Sequence, residues 1–199
     1  SLVMGARTVA QLEENLGAVT WAEAMAEAPA TEGDLFVAAA LAFRAADPDR
    51  IAADLQQAAL SDRRFREVES AAGWIDLTPP LFALLDRWKT DRDALRRRLA
   101  IAGFAVHRID PGEALTAAVC DPDLPLRTRA ARAVWQLGRR DLVGLIRYDD
   151  PDQSTRFSAC WAGALLAREP EAVAGLRRFA ETGERYPDRA VQLAGLCMD

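Results

Sequence analysis

The feature that most limits what this chain can fold into is a beat of 29 to 30 residues. Asp62, Asp91, Asp121 and Asp150 are spaced 29, 30 and 29 residues apart. A second marker keeps the same time: Arg97, Arg127 and Arg156 each come six residues after their block's first aspartate. The first block alone departs, with Val68 at that position. Two markers in phase are the signature of a repeat architecture, in which one supersecondary unit recurs and no single unit buries its apolar face alone.

Within each block the apolar residues recur at helical spacing. Phe157, Cys160, Trp161, Ala164 and Leu165 fall at i, i+3, i+4, i+7 and i+8, which places them on one stripe of an α-helix. Leu81, Leu84, Leu85 and Trp88 form a second such stripe, and Ala172, Val173, Leu176, Phe179 and Ala180 a third. Proline comes directly after an acidic residue at Asp47-Pro48, Asp110-Pro111, Asp121-Pro122, Asp150-Pro151 and Glu169-Pro170. At a helix start its missing N–H costs nothing. Thr78 before Pro79 reads as an N-cap and Gly138 as a left-handed C-cap. No stretch alternates with period two in Val, Ile and Thr, so the expectation is an all-α fold.

Four helical hairpins are therefore expected over 61–182. Helices over 8–28, 31–46 and 48–60 form a more divergent N-terminal part, and 187–198 reads as the first helix of a further unit. Stacked in a row, these hairpins predict one right-handed α-α superhelix of five to six units with a continuous core. Ala130, Ala133, Ala159 and Ala162 allow close approach of its helices.

Composition narrows the function. With 30 acidic and 25 basic residues the net charge is −5, and a general nucleic-acid binder normally carries a basic excess. Residues 1–60 hold nine acidic and three basic side chains, so the acidity is concentrated there. His107 is the only histidine, so a two-histidine metal site is excluded and no metal or cofactor is expected. Cys120, Cys160 and Cys197 form no CxxC pair and read as inert buried thiols. The absence of an apolar run of membrane-spanning length, or of a signal-peptide pattern, leads to the expectation of a cytoplasmic protein.

The run DPDLPLRTRAARAVWQLGRRDLVGLIRYDDPD resembles a HEAT-like repeat of the short bacterial type, also called the PBS-lyase type. Arg127, Ala130, Ala131, Ala133, Leu137 and Gly138 match that pattern, and the next block matches at Asp150, Pro151, Asp152, Arg156 and Ala159. The stretches AAGWIDLTPPLFALLDRW and AGFAVHRIDPGEALTAAVCDPD are similar to an uncharacterised family of longer proteobacterial HEAT-repeat proteins. That similarity implies that the chain is part of a longer solenoid. A short segment, GARTVAQLEENLGA, resembles a cofactor-binding stretch of aldo-keto reductases, but no barrel precedes it.

A repeat motif of this kind specifies fold, not function. In HEAT-type arrays the second helix of each pair lines the concave side. The resemblance thus implies that Arg147, Tyr148, Arg177 and Arg178 share a groove with Asp86 and Lys89. A groove that mixes arginine with aromatic side chains suits protein recognition. The leading expectation is a non-enzymatic scaffold that binds another protein there, with no catalytic residue and no small-molecule substrate. The rival is a nucleic-acid enzyme resembling the HEAT-like alkylpurine DNA glycosylases, for which Trp88 with Asp86 and Arg87 is the only local combination worth naming. Of the repeat markers, Asp91, Asp121 and Asp150 are read as turns. Arg97, Arg127 and Arg156 are read as bonds from each block to the turn or helix end of its neighbour, with a binding ladder for an acidic partner as the alternative. The runs Arg96-Arg97-Arg98, Arg139-Arg140 and Arg177-Arg178 read as solvated faces.

Overall fold

The computed structural model describes residues 31–182 and 186–196, and among these every regular element is helical. The helix expected over 8–28 and Cys197 lie outside the described residues. The described residues form ten α-helices and one 3-10 helix, and the chain divides into two compact units that meet in sequence between His107 and Arg108.

The first unit contains α1 (Glu32–Ala45), α2 (Pro48–Ala58), α3 (Asp62–Trp74), α4 (Pro79–Trp88) and α5 (Ala94–Val106). α1 packs on α3 and α3 on α5, so the first helices of successive blocks lie side by side, with α2 and α4 covering them. The core contains Leu81 and Leu85 of the predicted α4 stripe together with Phe43, Ile51, Leu55, Phe65, Leu99 and Phe104, all at most 1% exposed. Burying each large apolar side chain stabilises the fold by about 1.5–3 kcal/mol.

The second unit contains α6 (Glu113–Ala118), α7 (Leu124–Leu137), a 3-10 helix (Arg140–Leu145), α8 (Gln153–Ala167), α9 (Pro170–Thr182) and α10 (Pro187–Gly195). α7 packs on α8, α8 on α9, and α9 on α10. Ala130, Ala133, Ala159 and Ala162 are fully buried, and their small size lets the helix backbones approach closely.

One turn design is used three times. The first aspartate of each Asp-x-Asp accepts a hydrogen bond from the backbone N–H of the second: Asp93 to Asp91 and Asp123 to Asp121 at 2.8 Å, Asp152 to Asp150 at 2.9 Å. The second aspartate is then the N-cap of the helix, accepting from Leu95, Leu126 and Thr155 respectively. The arginine six residues after the first aspartate turns back and donates to that residue's carbonyl, at 2.9, 2.8 and 2.8 Å for Arg97, Arg127 and Arg156. A carbonyl that precedes a helix has no intrahelical partner, and a guanidinium supplies one by a charge-assisted bond.

Several expectations need correction. The arginines clamp the turn of their own block. Arg127 does more, since its Nε also donates to Asp150 of the next block at 3.0 Å, and that carboxylate is buried. Asp62 does not open a turn: it is the first residue of α3, the cap is Ser61, and the Asp62 carboxylate pairs with Arg98 at 3.2 Å. The third block does not close with an α-helix, because Arg140–Leu145 forms a 3-10 helix with Gly144 within it. Glycine in a helix interior costs about 1 kcal/mol relative to alanine, and one short turn cannot recover it.

The basic runs are not simply solvated faces. Arg98 lies 3.6 Å over the Phe65 ring, and Arg139 forks between Asp141 and Asp110. Cys120 is exposed rather than buried, whereas Cys160 is fully buried. Leu165, assigned to the α8 stripe, is 38% exposed. Thr78 holds the N-cap position of α4 but makes no side-chain cap bond. Pro79 and Pro80 after it carry no N–H to donate.

Candidate functional site

The residues singled out for partner binding fall into two groups. Asp86 and Lys89 belong to the first unit, at the end of α4, where the Lys89 ammonium donates to Asp86 Oδ1 at 2.5 Å. Lys89 Nζ also lies 5.9 Å from the Phe104 ring centre. This corner is internally paired. Trp88 between them is 2% exposed and lies under the Arg96 guanidinium at 5.4 Å. A ring so covered offers no face for stacking a base.

The other four belong to the second unit. Arg147 and Tyr148 sit in the turn between the 3-10 helix and α8, not on a second helix, because that helix ends at Leu145. Arg177 and Arg178 lie on the exposed side of α9. Tyr148 and Arg178 line an open cleft of about 310 Å³ with Arg156, Glu171, Phe179 and Thr182. Asp149 and Gly175 complete its wall. Arg147 and Arg177 are not among its lining residues.

Two glycines shape this region. A Cβ on Gly163 would meet the Tyr148 ring, with its oxygen at 2.4 Å and its ring carbons at 2.7 Å. The tyrosine is therefore seated directly on the α8 backbone. A Cβ on Gly175 would meet Cys160 Sγ at 2.4 Å, so α9 approaches α8 as closely as a bare backbone permits. Phe179 meets Phe157 edge to face at 5.3 Å and presents its ring to the Arg156 guanidinium at 5.5 Å.

The electrostatics depend on burial and pairing. Desolvation raises the Tyr148 hydroxyl to about 12, with Glu169 acting in the same direction, so it is a neutral hydrogen-bond donor at neutral pH. Burial likewise raises the Cys160 thiol to about 11 against the opposing influence of Arg178 and Arg156. A thiol held neutral is a poor nucleophile. Arg147 donates to both oxygens of Asp149 at 3.2 and 3.3 Å, and these bonds hold the Asp149 carboxyl below the usual range. Arg156 is fixed by its bond to the Asp150 carbonyl. Among the described residues, neither Arg156 nor Arg178 has a carboxylate within ion-pair distance.

Sequence reasoning did not place Glu171, Phe179 or Thr182 at a site, and it read Arg156 first as a repeat marker. Thr182 and Glu171 sit eleven residues apart on α9, and no local spacing marks them as neighbours of Tyr148. His107 caps the end of α5, where Nε2 donates to the Ala72 carbonyl at 2.9 Å. Trp135 and Trp161 stack face to face at 4.5 Å, and Arg189 covers Trp161 at 4.8 Å. Among the described residues no group of three or more His, Cys, Asp or Glu is placed to hold a metal ion. None of the described helices is long and apolar enough to cross a membrane. No known family profile matches the chain, and no curated protein does either.

Proposed function

We propose that the chain is a HEAT-like α-α superhelix that serves as a non-enzymatic scaffold and recognises another protein. The observation that supports this most is the cleft of the second unit. There the Arg178 guanidinium, with no carboxylate in ion-pair contact among the described residues, stands next to Phe179, Thr182 and the neutral Tyr148 hydroxyl. Arginine and aromatic side chains at a concave position are the groups that carry most of the energy at protein interfaces. The thrice-used Asp-x-Asp turn and its arginine clamp support the repeat reading, since three of the four blocks rebuild the same junction at the same interval.

Photocrosslinking tests the reading. A photoreactive amino acid at Thr182, in the host cell, is expected to yield a discrete adduct with one protein that weakens with Arg178→Glu. A chain that yields no such adduct, but binds duplex DNA in a salt-sensitive manner, would favour the nucleic-acid alternative instead.

A further inference from the structure

We infer that the cleft beneath Tyr148 binds the side-chain carboxylate of an acidic residue in an extended peptide segment, held between Arg156 and Arg178. This rests on the recognition reading above and narrows it to a ligand chemistry. The lining itself argues for an anion. Arg156 and Arg178 bring two guanidiniums to one cleft, and their charges act together on the Cys160 thiol beneath. Arg156 is already immobilised by the Asp150 carbonyl and the Phe179 ring, so little of its conformational entropy remains to be lost on binding. Guanidinium pairs of this kind recognise planar oxyanions by charge-assisted hydrogen bonds.

The charge balance selects a monoanion. Glu171 opposes the two arginines, while Asp149 is neutralised by its pairing with Arg147. With Arg147 counted against Asp149, the lining residues leave one unit of positive charge, and Glu169 beside Tyr148 adds to the repulsion of any doubly charged anion. A carboxylate matches that unit, whereas a phosphate group, at about −1.5 to −2 charge, exceeds it and is repelled by Glu171. The Phe179 ring, 4% exposed, is packed under the Arg156 guanidinium and holds that arginine in place. The Tyr148 hydroxyl, neutral at pH 7, is a hydrogen-bond donor on the same wall.

The test is an NMR titration of the full chain with two probe peptides, acetyl-Ala-Leu-Glu-Leu-Ala-amide and its glutamine counterpart, and with inorganic phosphate. The acidic peptide is expected to shift the Arg178 Nε–H, Thr182 and Tyr148 signals. It should bind about tenfold more tightly than the glutamine peptide, and Arg178→Gln should abolish that preference. Arg178 is exposed and makes no side-chain bond within the described fold, so this variant keeps its helical signal. Equal binding of the two peptides, shifts confined to other regions, or tighter binding of phosphate than of the acidic peptide would each overturn the inference. A crosslink from Thr182 obtained alongside such a result would leave the broader recognition reading in place.

Discussion

At the scale of single residues, the structure uses carboxylates in three ways. Asp91 shows the first: the Asp93 N–H donated to it holds its carboxyl below the usual range, so it stays ionised within its turn. Asp150 shows the second, buried at 2% exposure and paired with Arg127 at 3.0 Å. Asp54 shows the third and is the most informative. It is 8% exposed on α2, and burial raises its pKa to about 7 from 3.8, with Arg50 only partly opposing. The folded state thus holds a proton that the unfolded chain releases near pH 3.8. Asp54 costs nothing below that pH, and its unfavourable effect grows as pH rises towards 7 and is complete above it. Asp54→Asn is accordingly expected to stabilise the protein by about 1–2 kcal/mol at alkaline pH and by much less at acid pH. Urea denaturation of both proteins across that range measures the difference, and a pH-independent gap would contradict the assignment.

At the scale of elements, the helices owe their boundaries to local chemistry and their contacts to small residues. Gly138 ends α7 with φ of 70°, a region that a residue with a Cβ enters only at a cost. Gly175 and Cys160 are paired across α9 and α8, because any side chain at the first would occupy the place of the second's sulfur. Gly175→Ala should therefore cost about 1–3 kcal/mol by overpacking. Part of that cost should return when Cys160→Ala is added, giving a double-mutant coupling of about 0.5 kcal/mol or more. Chemical denaturation of the four proteins gives the cycle, and strict additivity would show that the two helices do not depend on this contact.

The same scale explains how much of the fold was legible in the sequence. The beat of aspartate and arginine located the starts of α5, α7 and α8, because the residues that make a turn and cap a helix must lie next to it in sequence. The stripe of α4 was legible for a similar reason, and all four of its predicted residues are buried. The segment after α7 was not legible. Residues 139–150 have the apolar content of a helix, yet Gly144 falls in the middle of the segment, which forms a 3-10 helix instead. Arg147 and Tyr148 were thereby displaced from a helix into a turn. Leu165 failed for a different reason, since its place in the period is right but none of the described helices covers that side of α8.

At the scale of the molecule, the two compact units differ in how their parts are tied. In the second, Arg127 joins the turn of its own block to the turn of the next, by one bond to the Asp121 carbonyl and another to the buried Asp150 carboxylate. Removing it leaves that carboxylate buried without its cation, which costs about 2–4 kcal/mol. Arg127→Gln is expected to accelerate amide hydrogen exchange in α7 and α8 and to leave α1 to α3 as protected as before. Exchange that rises evenly along the chain would mean that the two units open together.

The sequence by itself determined the helical class, the turn chemistry and the interval at which it recurs, since capping, proline placement and apolar periodicity act between residues a few positions apart. Only the tertiary structure decided which arginines stand without a carboxylate. Arg98 and Arg139 look no different in sequence from Arg178, yet they find the distant acid partners Asp62 and Asp110 and, among the described residues, Arg178 finds none. The reason is physical: an ion pair depends on which side chains packing brings within about 4 Å. That is settled by the approach of α8, α9 and the turn before α8, where Gly163 and Gly175 carry no side chain to hold them apart.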